Sequence, residues 1–275
     1  MTFFLHPNIF TNIFTLYRFI PDICKMKLTP ASKGYWKSGK NMRKFLMVFA
    51  VCAMALAGYG QTAEECLALG MAKRAQKDFK GAIADFTHAT ELNPKYAEAY
   101  YNRGLDKSNT LDYQGAIADF TKAISLNSKY ALAYYDRGIS KSNLFDDKGA
   151  VADFTKSINL EPNEGAYQAR GVSKSSLKDY KGAISDFTQV IALNPANPGA
   201  FFLRGNAKGA MKDFTGAIED YTSVIRLNPK FRDAWFNRGI ASFEAGNKSG
   251  GCRDLGKAKE LGVKEAFEMI KRYCR

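Results

Sequence analysis

The sequence predicts an all-α superhelical solenoid: six helix-turn-helix units in series, closed by a C-terminal capping helix. Three observations carry this expectation. Glycines recur at Gly70, Gly104, Gly138, Gly171, Gly205 and Gly239, at intervals of 34, 34, 33, 34 and 34 residues. Twelve residues after each comes a second small residue (Ala82, Ala116, Ala150, Ala183, Ala217, Gly251), and four further on a large apolar one (Phe86, Phe120, Phe154, Phe187, Tyr221, Leu255). The units usually close with Asn-Pro or its like: Asn93-Pro94, Asn127-Ser128, Glu161-Pro162, Asn194-Pro195, Asn228-Pro229. Self-similarity at a fixed period of this length is the signature of a repeat architecture. The composition agrees, because 275 residues with 46% hydrophobic and 24% charged side chains make a foldable globular chain.

The elements follow in chain order. Residues 1–60 hold eight basic residues against one acid, a charge of +7 within a total of +13. Met42-Arg43-Lys44 is a short positive start, and Phe45 to Ala57 is an apolar run of 13 residues followed by Gly58 and Gly60. That grammar predicts a secretory signal over 42–60, cleaved after Ala57 or Gly60. The run is short for a membrane-spanning helix, which needs about 20 residues. An uncleaved anchor and a buried core helix stay open as alternatives. Signals begin near a chain's start, so we expect Met42 to be the true initiator and 1–41 to be upstream sequence or a disordered extension.

The six units span 63–96, 97–130, 131–163, 164–197, 198–231 and 232–262. In the second, helix A is expected near Ala97–Thr110 and helix B near Gln114–Asn127. The Gly of helix A and the small residue of helix B let the two backbones approach, and the Phe of helix B fills the space beside them. Pro stops helix B, because it cannot continue a helix and it restricts its predecessor. One such unit cannot bury its apolar face alone; stacking builds a continuous core and a concave inner surface. The third unit is one residue short at Pro162-Asn163-Glu164, which predicts a tighter turn. Gly250-Gly251 in the sixth weakens its helix B.

This arrangement resembles the tetratricopeptide repeat family over about 200 of the 275 residues. The resemblance implies a right-handed superhelix with helix A inside, and extended peptides bound on that inner surface. The aromatic expected early in helix A is present as Tyr100, Tyr134, Tyr167, Phe201 and Trp235, with Cys66 in the first unit. The usual Leu before the Gly is instead Arg103, Arg137, Arg170, Arg204 and Arg238, with Leu69 in the first. A half-buried Arg needs a partner, and Asp85, Asp119, Asp153, Asp186, Asp220 and Asp254 precede the large apolar residue of each helix B. The expected ladder joins the Asp of one unit to the Arg of the next: Asp85–Arg103, Asp119–Arg137, Asp153–Arg170, Asp186–Arg204 and Asp220–Arg238. Pairing within a unit is the competing arrangement.

Val263–Arg275 reads as a capping helix with Phe267, Ile270 and Cys274 on its apolar face. Cys252 and Cys274 lie on either side of the turn at Gly262, roughly level, and a bridge between them is expected in an oxidising compartment; two small buried hydrophobes are the alternative. Cys66 is expected to pack as a small apolar residue.

Chemistry has little to stand on. Two histidines in the chain argue against multi-histidine zinc or iron sites, and neither a cofactor nor a bound metal is expected. His88 has no nucleophile at a sensible spacing. Lys107-Ser108, Lys141-Ser142 and Lys174-Ser175 occupy equivalent positions in three units, which marks them as scaffold rather than active site. No catalytic residue is expected.

Function falls to the groove that the resemblance implies. Its candidates are Tyr101, Leu105 and Asn109; Tyr135, Ile139 and Asn143; Gln168 and Val172; Phe202 and Asn206; and Phe236 and Ile240. They make an aromatic and aliphatic stripe beside a Ser/Asn stripe, suited to an extended or helical peptide, although any of these aromatics can instead belong to the core between units. The clamp that grips acidic tails in this family needs Lys and Asn where Leu67, Met71, Tyr101 and Leu105 stand, so that specialisation is not expected. Nucleic acid is not expected either: it needs aromatics beside clustered Lys and Arg, whereas here each Arg has an Asp for company and residues 61–275 carry only +6. The expected protein is a non-catalytic interaction scaffold exported to a bacterial-type cell envelope. A cytoplasmic adaptor with an uncleaved N-terminal segment and a small-ligand or lipid groove are the rivals.

Overall fold

In the computed structural model, residues 62–274 are described, and they form thirteen α-helices without a strand. The expectations for 1–41 and 42–60 lie outside the described residues. The helices are α1 (Ala63–Ala75), α2 (Phe79–Leu92), α3 (Ala97–Asn109), α4 (Tyr113–Leu126), α5 (Ala131–Asn143), α6 (Asp147–Leu160), α7 (Glu164–Ser176), α8 (Tyr180–Leu193), α9 (Pro198–Ala210), α10 (Phe214–Leu227), α11 (Arg232–Glu244), α12 (Lys248–Glu260) and α13 (Lys264–Tyr273). Each odd–even pair up to α12 is one unit, and each unit packs on the next. From the second unit onward the A-helices of successive units (α3, α5, α7, α9, α11) also approach each other more closely than the B-helices do. The array therefore curves with the A-helices inside. Among the described residues no helix is long and apolar enough to cross a membrane.

The seam of each unit is built as the spacing implies. A Cβ placed on Gly138 would lie 2.7 Å from the Phe154 ring, so only Gly admits the ring there. Phe86, Phe120, Phe154 and Phe187 are all buried in this way. In the sixth unit the seam is different: Leu255 replaces the ring, and a Cβ on Gly251 would meet the Gly239 carbonyl at 2.9 Å. Gly251 is thus a site of backbone contact as well as a weak helix former.

The turns inside the units use a device that the sequence reading missed. Asp78, Asp112, Asp146, Asp179 and Asp213 cap the B-helices, each accepting the N–H of Gly81, Gly115, Gly149, Gly182 or Gly216. Asn247 does the same for Gly250. The D-x-x-G spacing was the available signal, since Asp at an N-cap satisfies the open N–H groups of a first turn. Gly250 is therefore the regular capping partner of its unit, not an irregularity. The residue just before each capping Asp has positive φ: Lys77, Leu111, Phe145, Lys178 and Lys212 lie between 62° and 66°.

Between units the chain turns in four residues at 93–96, 127–130, 194–197 and 228–231, but in three at 161–163. In the short turn Asn163 caps α7 by accepting the Ala166 N–H at 2.9 Å. Tyr96 and Tyr130, at the equivalent points of the longer turns, provide no side-chain cap.

The cap α13 packs Ala266, Met269 and Ile270 with Val263 against Leu255, Ala258 and Trp235. Phe267 is a correction: it lies 48% exposed, with the Lys259 ammonium over its ring. Ala266, one residue earlier, takes the inward position. Cys252 is bonded to Cys274, with Cα atoms 5.7 Å apart. Cys66 is buried with Leu67, Ala82 and Phe86, and burial raises its thiol pKa above the usual range.

Candidate functional site

The polar ties along the seam set the position of the inner surface. Arg103 binds Asp119, Arg137 binds Asp153, Arg170 binds Asp186, Arg204 binds Asp220 and Arg238 binds Asp254, each within its own unit at 2.6 to 3.0 Å through two nitrogens. The expected Asp-to-next-Arg ladder is therefore wrong, and the within-unit pairing holds. The reason lies in the seam itself. Gly138 meets Phe154 of the same unit, so the residue before that Gly faces the residue before that Phe. The link between units is made by a different group. The remaining guanidinium nitrogen donates to Thr87, Thr121, Thr155, Thr188 or Thr222 of the preceding unit at 3.0 to 3.2 Å.

Each Arg also stacks on its helix-A aromatic, as Arg137 does over Tyr134 at 5.5 Å. Lys107, Lys141, Lys174 and Lys208 close the other side of the carboxylates at 2.7 to 2.9 Å. In the first unit, where Leu69 replaces Arg, Lys73 holds Asp85 at 2.7 Å. The Lys-Ser pairs noted in the sequence thus have their lysines committed to structure.

The inner surface is not uniform. Tyr135, Ile139, Gln168 and Val172 come together around a hollow of about 490 Å³ between α5 and α7, with Ser142, Ala169, Gly165 and Glu164 at its edge. Glu164 is oriented there by Asn197 at 2.7 Å. The other candidates are placed differently. Phe202 packs on Tyr221 and Phe231 with ring centroids 5.9 and 5.0 Å away. Phe236 joins the cluster under the cap. Asn206 accepts from the Tyr221 hydroxyl and from Asn237, which ties its side chain into the frame. Leu105 and Ile240 are half-buried, and Asn109 and Asn143 are exposed at the ends of α3 and α5.

A second cluster sits between the second and third units. The Tyr101 hydroxyl donates to Asp136 at 2.7 Å, and the Tyr101 and Tyr130 rings lie 4.7 Å apart. Burial raises the Asp136 carboxyl above its usual range, against the opposing effect of the Tyr101 hydrogen bond. The Tyr130 hydroxyl is pushed up to about 12 by burial first, then by the Glu98 and Asp136 charges. Tyr101 and Tyr135 are raised too, by burial and then by Asp136. Arg74, whose charge opposes the rise of the Tyr101 pKa, is held by Asp106 and Asn102, both at 2.6 Å. The sequence reading singled out Tyr101 but missed Asp136; its signal is that no other unit has an acid two residues before the Gly.

Comparison with known proteins agrees with this architecture. Family models described as TPR repeat and tetratricopeptide repeat match residues 70–105, 97–130, 165–197 and 202–251. The chain belongs to the tetratricopeptide repeat family. Among solved structures it is similar to YrrB, described as a TPR protein with an unusual peptide-binding site, at 25% identity, a TM-score of 0.63, and coverage of 68% of this chain and 97% of that one. A TPR protein fragment from Cytophaga hutchinsonii shares the fold at 17% identity and a TM-score of 0.66, covering 74% of this chain and 86% of its own. PilF of Pseudomonas aeruginosa shares it at 14% identity and a TM-score of 0.61, covering 76% and 97%. No curated protein matches the sequence. As a tetratricopeptide array the chain has the general character of a protein-interaction scaffold, with its A-helices turned inward.

Proposed function

We propose that this tetratricopeptide array is a non-catalytic scaffold, exported to a bacterial cell envelope, that holds an extended segment of a protein partner along its inner surface. The observation that carries the reading is the hollow formed by Tyr135, Ile139, Gln168 and Val172. Its apolar wall suits an aliphatic or aromatic side chain, and the Gln168 amide offers a donor and an acceptor to a peptide backbone. The lysines that a Ser-Lys nucleophile would require are consumed by the Asp pairs of the seam. The Phe45–Ala57 run and its basic start support the export part of the reading.

Two measurements test it. With p-benzoylphenylalanine at Val172 on the inside and at Lys156 on outer helix α6, photocrosslinking in intact cells is expected to trap a partner from Val172 only. Trapping from both positions, or from neither, overturns the groove reading. Sequencing of the native N-terminus is expected to start near residue 58 or 61; a start near Met1 overturns export.

A further inference from the structure

We infer that the partner presents a cationic side chain, Lys or Arg, to Asp136 at the junction of the second and third units. This deepens the groove reading and rests on it. The first support is an inequality among carboxylates. Asp85, Asp106, Asp119, Asp153, Asp186, Asp220 and Asp254 each have an ammonium or guanidinium within 2.6 to 2.7 Å. Asp136 has the Tyr101 hydroxyl and, among the described residues, no Lys, Arg or His nitrogen in ion-pairing range. A half-buried carboxylate without a cation is costly to keep, and one hydroxyl satisfies only one of its two oxygens.

The second support is the setting. Tyr101 and Tyr130 stand 4.7 Å apart beside the carboxylate, and a cation near the face of such a ring gains further attraction. Glu98 adds a second negative charge close to Tyr130. Arg74, whose charge acts on Tyr101, is already paired with Asp106. The third support is position. The equivalent residues in the other units are Ala68, Asn102, Ala169, Leu203 and Asn237. A scaffold role would recur with the repeat; a recognition role need not. Asp136 follows Tyr135 of the hollow on α5 and is bonded by Tyr101 on α3, so it stands among the inner helices, one unit back from the hollow.

The test uses two fluorescein-labelled pools of mixed-sequence dodecapeptides, identical except for Lys or norleucine at one central position. Fluorescence anisotropy with the purified protein is expected to show the Lys pool binding about tenfold more tightly. Asp136→Asn, which keeps the shape, should abolish that preference, and Tyr101→Phe, which frees the second oxygen, should retain it. If both pools bind equally and Tyr135→Ala weakens both, the groove stands and the cation site falls. If neither pool binds, both fall. A Lys preference that survives Asp136→Asn also overturns the assignment.

Discussion

Arg137 grips Asp153 of its own unit through Nε and Nη2, at 2.9 and 2.6 Å, while its third nitrogen reaches Thr121 of the unit before. One side chain thus closes the seam of one unit and ties it to its neighbour. Lys141 completes the enclosure of the carboxylate at 2.8 Å.

Breaking that pair from the acid side leaves two cations, Arg137 and Lys141, without their counter-charge in a half-buried place. Asp153→Ala is expected to cost about 3 kcal/mol. Thr121→Val, which removes only the acceptor between units, should cost about 1 kcal/mol. Urea unfolding of the two variants checks the ranking; an equal or reversed order contradicts the tie described above.

Gly138→Ala is expected to destabilise the array by about 1–3 kcal/mol, because the added Cβ would meet the Phe154 ring at 2.7 Å. Gly138→Ala combined with Phe154→Leu, which imitates the Leu255 seam of the sixth unit, should recover part of the loss in thermal unfolding.

Phe145 is 92% exposed and holds φ at 62°. Little packing is lost by truncating it, and left-handed backbone costs a non-glycine residue about 1–2 kcal/mol. Phe145→Gly is therefore expected to stabilise by about 0.5 kcal/mol once the extra freedom of Gly in the unfolded chain is counted. A lower midpoint of denaturation would show that the ring has a structural role.

Asp136 supplies a prediction about pH. Burial raises its folded-state pKa above the unfolded value, so folding favours the neutral form. Stability from this group falls as pH rises from the ordinary carboxylate range through the raised value. Asp136→Asn removes that loss, and its gain over the wild type should be larger at pH 7 than at pH 4. Chemical denaturation at the two pH values checks the sign. Greater stability together with lost Lys preference would place Asp136 among residues kept for binding at a cost to the fold.

The bridge between Cys252 and Cys274 closes a 22-residue loop. Removing it with Cys252→Ser/Cys274→Ser is expected to cost up to about 3 kcal/mol, felt first in α13. Hydrogen exchange should show faster exchange in α13 with α1–α10 unchanged.

The architecture was legible because its logic is steric. Gly70, Ala82 and Phe86 recur in kind at one spacing, and only close-packed helix pairs need that. The partners of the Arg ladder were harder to read. Asp119 lies 16 residues after Arg103 and 18 before Arg137, and the spacing alone favours neither. What decides is that the Gly and Phe of one unit touch each other, which brings Arg103 and Lys107, one turn apart, against Asp119. Of the groove residues, Tyr135, Ile139, Gln168 and Val172 meet at one hollow. Phe202 and Phe236 were indistinguishable from them in sequence, because an aromatic at that helix position serves the core or the groove according to what the next unit places over it. Asp136 was legible only as an exception, and exceptions stand out once the regular pattern has been explained.

The three-residue turn at 161–163 has a consequence for how long an array can be read. Units of equal length offer a partner a uniform rail, along which a segment could shift by one repeat and find equivalent contacts. Removing one residue between α6 and α7 spoils that equivalence at one joint, and the hollow of Tyr135, Ile139, Gln168 and Val172 lies across that joint. A segment held along the A-helices as proposed would meet an unequal step at that joint, so a shift by one repeat would no longer restore the same contacts.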